Sequence, residues 1–222
     1  MKLLLMRLVL ASNNAKKLAE LRAMLTGLGA GLGAGLRTEL VAQGELDIPE
    51  AEEPHLTFIE NALAKARPAA AAAQGPAIAD DSGLCVDVLG GAPGVISAHF
   101  APEVPAEGHR EARRRSQDAA NNTLLLQRLA GSVDRRAHFI STLVAVRCAE
   151  DPQPLVAVGR WSGEILSAPR GTHGFGYDPL MFIPALGASV AALAVDVKNA
   201  HSHRALAARQ MLGLLRDVWH LG

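Results

Sequence analysis

The chain has 222 residues, of which 49% are apolar and 20% charged. That balance excludes a disordered or fibrous polymer and suits one α/β domain or two fused lobes. Lysine plus arginine equals aspartate plus glutamate at 22 each, so the basic excess that a nucleic-acid partner demands is missing.

The opening stretch, MKLLLMRLVLASNNAKK, has the apolar content of a signal peptide. Arg7 splits the run, however, and two asparagines and two lysines stand where a cleavage site would fall, so residues Leu3 to Ala11 read as a buried first strand. No run approaches the ~18 apolar residues of a membrane span, so no membrane partner is expected. After Ser12-Asn13-Asn14 the period changes. Leu18, Leu21, Leu25 and Leu28 follow helical spacing, and the strand–turn–helix junction should aim free backbone N–H groups at an anion.

TGLGAGLGAGLRTEL follows and reads as a low-complexity insertion in a connection. It lacks the G-K-[ST] ending of a phosphate loop. Beyond the acidic segment ELDIPEAEEPH, Thr57 and Glu60 form a capping box that should start a helix. Asn61 and Lys65 share one face of it. Pro68 should end or kink this helix, and the alanines from Ala69 to Ala73 can restart it.

PAIADDSGLCVDVLGGAPG reads as strand, polar turn, strand and a glycine-proline loop. AHFISTLVAVRCAEDPQPLVAVGRWSGEIL reads as a hairpin turned at EDPQP, and LMFIP as a short strand. From about Ser202 the chain is helical, with Ala208, Leu212, Leu215 and Trp219 along one stripe. Mixed βα units and a hairpin argue for an α/β fold with a mixed sheet. Cys85 and Cys148 match no zinc spacing and read as two reduced core thiols, which fits the cytoplasm.

Three segments carry candidate chemistry. Asp80 and Asp81 lie on opposite faces of a continuing strand, or splay apart in a turn. They serve either as a capped turn with Ser82 and Gly83 or as a magnesium site, with Glu50, Glu52 and Glu53 as an acidic supply. Thr172 to Pro179, THGFGYDP, sets Phe175 between two glycines, as a core plug or as a stacking surface for a base. Lys198 to Arg204, KNAHSHR, can recognise an anion or carbonyl through Lys198, His203 and Arg204. It can equally be a solvated helix cap, or a metal site through His201 and His203.

The order of these motifs is more specific than any one of them. SNNAKK, TFIENALAKA, ADDSG, GGAPG, FGYDP and SHR together resemble the inosine/xanthosine triphosphate pyrophosphatase family, from about Leu8 to Leu215. The resemblance implies an elongated mixed β-sheet flanked by helices. It also implies one ITPase-like α/β domain spanning residues 1–222, built as two lobes with a central cleft and usually a homodimer. It implies hydrolysis of deaminated purine nucleoside triphosphates (ITP, dITP, XTP) to monophosphate and pyrophosphate, with Mg²⁺ as cofactor. By position, Ser12, Asn14 and Lys17 would hold triphosphate oxygens, and Lys65 would neutralise phosphate. Asp81 would be both metal ligand and proton acceptor, with Ser82 touching substrate. The second metal carboxylate would be Glu52 or Glu53, or Glu50 on a register slip. Phe175, Gly176, Tyr177 and Asp178 would contact the purine, and Lys198, His203 and Arg204 would close over base and phosphate. His173 stands where glycine is common in the family, Pro68 interrupts an often continuous helix, and the Gly-Leu-Ala insertion is long. A Maf-like pyrophosphatase for other modified nucleotides and a non-catalytic nucleotide-binding module are the alternatives.

Overall fold

The structure, a computed structural model, describes residues 4–25, 36–105 and 110–220. Seven strands form one mixed sheet in the order β2-β1-β3-β4-β5-β6-β7. They are β1 (Leu4–Leu10), β2 (Leu36–Ala42), β3 (Ala77–Val86), β4 (Arg136–Val146), β5 (Leu155–Ile165), β6 (Met181–Ile183) and β7 (Ala188–Ser189). The helices are α1 (Ala15–Leu25), α2 (Phe58–Ala73), α3 (Arg110–Arg128), α4 (Val195–His201) and α5 (His203–Trp219). β1 runs parallel to β2 and β3, whereas β6 is antiparallel to β5 and β7. The α/β class with a mixed sheet is thus the observed architecture. Among the described residues, no helix is long and apolar enough to cross a membrane.

The chain divides into two compact units. The first comprises the chain up to Asp81, Ser141–Gly159 and the segment from His201 onward. Its strands alternate between two buried faces, as strands covered on both sides must. Leu8, Leu10, Ile78 and Leu143 pack with Leu21 and Leu25 of α1 and with Met211 and Leu215 of α5. Val9, Ala11, Ala77, Ala79 and Val144 pack instead on Ala62, Ala66, Ala69 and Ala70 of α2. This alternation decides where the next residues of β3 point. Asp80 follows Ile78 onto the α1/α5 face, and Asp81 follows Ala79 onto the α2 face. The second unit, Ser82–Ile140 and Arg160–Ala200, has its own core around Leu84, Val86, Leu125, Leu129, Phe139, Trp161, Tyr177 and Met181.

Several elements follow the sequence reading. The strand read at Leu3 to Ala11 is β1. Thr57 caps α2, accepting from the Glu60 N–H at 3.2 Å while its hydroxyl donates to Glu60 Oε2 at 2.7 Å. Ser202 caps α5 through the Ala205 N–H.

Others are corrected. Residues 26–35, which hold Leu28 and most of the Gly-Leu-Ala insertion, lie outside the described residues. The end of that stretch is not a connection, because Leu36–Ala42 is β2, in register with β1 residue for residue. Arg7 and Glu39 are register partners and form a cross-strand ion pair of 3.4 Å. Pro68 does not end the helix: α2 runs through it from Phe58 to Ala73. A helix-interior proline forfeits one hydrogen bond and costs about 3 kcal/mol. The buried alanine stripe of α2 offsets that cost, as does Arg67, whose guanidinium donates to the carbonyls of Ala149 and Asp151 at 3.0 and 3.4 Å. The segment Asp80-Asp81-Ser82-Gly83 is not a turn but the middle of β3. Cys148 is exposed and Cys85 half-buried, so neither is a core thiol. Helix α3 has no counterpart in the sequence reading. Beside Leu125 it buries a polar residue, Asn121, which accepts from the Ala101 N–H and donates to the carbonyls of Ser97 and Ala98.

Candidate active site

In the first unit, the two carboxylates of β3 organise two ionic groups on opposite faces of the sheet. On the α1/α5 face, Asp80 is buried and its Oδ2 lies 3.1 Å from Lys17 Nζ of α1 and 3.6 Å from Arg204 Nε of α5. Its Oδ1 accepts the Ser141 hydroxyl of β4 at 2.6 Å. Burial opposes ionisation of Asp80, but Lys17, Arg204 and the Ser141 hydroxyl outweigh it and hold the carboxyl well below the usual range. Arg204 is itself buried and reaches back to Glu20 of α1 at 2.9 Å.

On the α2 face, Lys65 Nζ sits 3.0 Å from Asp81 Oδ1 and 3.0 Å from Glu53 Oε1. Burial pushes Asp81 up to about 6, aided by the neighbouring Glu53 carboxylate and opposed by Lys65 and Lys17. Burial alone would depress Lys65, yet Asp81, Glu53 and Asp80 together keep its pKa above the ordinary lysine value. Asp81 Oδ2 is buried and makes no hydrogen bond, an oxygen that would lose solvation for no return unless a cation or a proton donor completes it. Of the acidic candidates, Glu53, though exposed like Glu52, is the one seen against Lys65 and Asp81.

A divalent cation fits this donor set. Two carboxylates, one with an unsatisfied buried oxygen, supply hard oxygen ligands, and magnesium is commonly held by one or two carboxylates with substrate phosphates completing its shell. No group of three metal-ligating side chains occurs among the described residues, so His201 and His203 do not form part of such a cluster.

The anion loop after β1 is built differently from expectation. Asn14 Oδ1 accepts from the Lys16 and Lys17 N–H groups at 3.2 and 3.3 Å, and Ser12 Oγ accepts from the Asn14 N–H. The asparagine therefore caps α1, and two N–H groups expected to be free are satisfied internally. Lys17, in the first turn of the helix, carries the charge of this loop, although burial lowers its pKa.

In the second unit, the loop of Phe175 to Asp178 is held from within. Asp178 is buried and its Oδ2 accepts from the Phe175 N–H at 3.0 Å and from Lys198 Nζ at 2.7 Å. Gly174 permits this: its φ is +78°, and a Cβ there would fall 2.0 Å from Asp178 Oδ2. The Lys198 ammonium stands 4.9 Å from the centre of the Phe175 ring, a cation–π arrangement. Tyr177 is buried and donates its hydroxyl to the Ser97 carbonyl at 2.9 Å. Tyr177 and Asp178 are thus committed to shaping the loop, while the Phe175 ring is half-buried. His173, exposed, donates its N–H to the Ala191 carbonyl. Ser82 is half-buried in β3.

Some residues of these groups carried no motif in the sequence. Ser141 gave a faint signal, as a hydroxyl inside the apolar run FISTLVAV. Glu20 gave none, being one polar residue among several on its helix.

The fold and the buried carboxylate–lysine groups define an α/β protein with an ionic site at the centre of its sheet. The chain belongs to the Ham1 family, whose sequence profile matches residues 8–214. It is 66% identical over 96% of its length to a dITP/XTP pyrophosphatase of Methylibium petroleiphilum, covering 99% of that protein. It is 64% identical over 97% of its length to one of Leptothrix cholodnii, covering 100% of that protein. Among solved structures, a HAM1 protein from Coxiella burnetii superposes with a TM-score of 0.82 at 37% identity, covering 96% of this chain and all of that one. The Staphylococcus aureus Ham1 protein superposes with a TM-score of 0.76 at 32% identity, covering 94% of this chain and 97% of that one.

Proposed function

We propose that this chain hydrolyses deaminated purine nucleoside triphosphates, ITP, dITP and XTP, to the nucleoside monophosphate and pyrophosphate, with Mg²⁺ as cofactor. The observation that carries the reading is Asp81: a buried carboxylate in contact with Lys65, beside Glu53, with one oxygen left unsatisfied. The names of the relatives, dITP/XTP pyrophosphatases, support the substrate class.

A nucleoside triphosphate carries about four negative charges, so its hydrolysis is mainly positioning and charge stabilisation. Lys17 and Lys65 supply positive charge to the phosphates. Asp80, fixed by Arg204 and Ser141, keeps Lys17 in place, and Ser12 and Asn14 shape the turn that presents it. Asp81 and Glu53 would hold Mg²⁺, which neutralises phosphate charge and acidifies bound water. Asp81 accepts the proton of the attacking water as its oxygen bonds to the α phosphorus. The bridging bond to the β phosphate then breaks, and pyrophosphate leaves. In the metal-free protein Asp81, pushed up to about 6, is already mostly ionised at neutral pH, the state a proton acceptor needs. Ser82, the next residue of β3, touches the substrate.

The purine stacks on Phe175, which Gly176, Tyr177 and Asp178 hold in place. Donors from Lys198 and His203 favour a 6-oxo group over the amino group of adenine, and a site built on polar pairing rejects such a mismatch by ~10⁴. The enzyme works as a homodimer on the cytoplasmic nucleotide pool, as the family resemblance implies, and light scattering after size exclusion tests the assembly. The decisive experiment is pyrophosphate release from ITP, dITP, XTP, GTP and ATP with and without Mg²⁺. The expected result is Mg²⁺-dependent turnover of the first three far above the last two. Equal rates on all five overturn the reading.

A further inference from the structure

The second unit contains an arrangement that the roles assigned so far do not use. Asp118 and Asn122 stand one turn apart on α3, at i and i+4, hence on one face of the helix. Both grip the same residue of the aromatic loop, one on each of its two flanking peptides. Asp118 Oδ2 accepts from the Gly176 N–H at 2.9 Å, and Asn122 Nδ2 donates to the Gly176 carbonyl at 3.0 Å. Gly176 sits at φ +61°, a left-handed conformation outside any strand or helix ladder, so its two backbone polar groups depend on side chains for partners. Immediately before it lies Phe175, whose own N–H is taken by Asp178. The residues flanking the ring are therefore fixed on both sides, by Asp178 from within the loop and by α3 from outside.

The helix has the means to act as a stiff support. Asn121, between the two gripping residues, is buried and ties α3 to the carbonyls of Ser97 and Ala98. The carbonyl of Ser97 in turn receives the Tyr177 hydroxyl, so the same short segment braces both the helix and the residue after Gly176.

The geometry points to Asp118 and Asn122 as positioning residues for base recognition: a two-point clamp on Gly176 that sets the plane of the Phe175 ring. This inference rests on the proposed nucleotide activity, and it goes further by naming residues that touch no substrate yet set affinity for the base. If the clamp acts on the ring alone, its loss weakens binding of the base-bearing substrate and leaves the handling of phosphates intact.

The test compares wild type with Asp118→Ala, Asn122→Ala and the conservative Asp118→Asn. Two quantities are read for each: kcat and KM for ITP, and the inhibition constant of inorganic tripolyphosphate, which has no base. Removing one hydrogen bond of this kind should raise KM about threefold to tenfold, with kcat within twofold and the tripolyphosphate constant unchanged. Asp118→Asn, which keeps an acceptor oxygen, should recover most of the lost affinity. The clamp is overturned if KM for ITP stays at the wild-type value in both alanine variants, or if KM and the tripolyphosphate constant rise together. Should Asp118→Ala fail to fold, Asn122→Ala and Asp118→Asn decide the question. A wild-type protein that releases no pyrophosphate from ITP refutes the activity instead. The clamp is then read from amide exchange at 175–177, which both alanine variants must accelerate without changing the exchange of β3.

Discussion

The Ser141 hydroxyl donates to Asp80 Oδ1 at 2.6 Å, and both side chains are fully buried. This bond joins β4 to the centre of β3 and leaves Asp80 Oδ2 for Lys17 and Arg204. Asp80 is therefore the shared counter-charge for the half-buried Lys17 and the buried Arg204. Asp80→Asn leaves Arg204 with Glu20 but takes the close carboxylate from Lys17, and loss of one partner of a buried pair costs up to about 3–5 kcal/mol. Urea unfolding should show a loss of that order. The pH dependence has a definite sign. The folded-state pKa of Asp80 lies below the unfolded value of about 3.9, so its stabilisation is complete above that value and is lost as pH falls toward the folded pKa. Below about pH 4 the wild type should lose stability more steeply than Asp80→Asn. Parallel acid profiles would show that Asp80 is not charged in the folded protein.

Asp81→Asn removes the proposed proton acceptor while keeping the side-chain volume. Turnover of ITP should fall roughly 10²–10⁴-fold, with nucleotide still bound. Retained turnover would remove Asp81 from the chemistry.

Metal binding offers a separate check on the same carboxylate. In the metal-free protein burial and Glu53 push Asp81 up to about 6, so a proton and Mg²⁺ compete for it below that pH. Calorimetric titration without nucleotide should show Mg²⁺ affinity rising as pH is raised from 5 to 8. In Asp81→Asn the affinity should be weak and flat with pH. Glu53→Gln should weaken Mg²⁺ binding more than Glu52→Gln does, because Glu53 is the carboxylate placed against Lys65 and Asp81.

The legible parts of the chain were those whose cause is local. Thr57 and Glu60 are three residues apart, and the cap they predicted formed. The apolar run of β1 and the stripe of α5 likewise depend on near neighbours in the chain. The pairing of Ser141 with Asp80 spans 61 residues, and no local pattern marks it. β2 was hidden because its preceding stretch repeats glycine, leucine and alanine, and pairing with β1 outweighed that weak local preference. Pro68 stays inside α2 for a related reason, since burial of Ala66, Ala69 and Ala70 decides the helix more than one missing donor does. The aromatic loop was recognised as special from composition. Which of its side chains turn inward, Tyr177 and Asp178, depends on partners at Ser97 and Lys198 that composition cannot rank.

Pro68→Ala tests that account of α2. Alanine restores a backbone donor facing the Ala64 carbonyl and is the better helix former by about 3 kcal/mol in an unconstrained helix. The variant should be more stable than wild type by about 1–3 kcal/mol in urea unfolding. Turnover should change little, because Lys65 keeps its place one turn earlier. A destabilised variant would mean that the proline ring packs in a way that compensates for the missing bond.

Gly159 in β5 sets how closely α5 approaches the sheet. A Cβ at this position would fall 2.0 Å from the His203 carbonyl oxygen and 2.6 Å from the Ala207 N, both backbone atoms of the helix. Neither can swing away as a flexible side chain could, so Gly159→Ala must push the first turn of α5 outward. That turn carries Arg204, whose contacts with Asp80 and Glu20 at 3.6 and 2.9 Å are the next to lengthen. Overpacking of this kind costs about 1–3 kcal/mol, and urea unfolding should show it. Activity should fall further than stability alone would require, because displacing Arg204 removes one of the groups that fix Asp80 and, through it, Lys17. The KM for ITP should therefore rise in Gly159→Ala even well below its unfolding temperature, and the inhibition constant of tripolyphosphate should rise with it. A folded variant with wild-type constants for both would show that the approach of α5 to β5 is not what positions the phosphate-handling lysine.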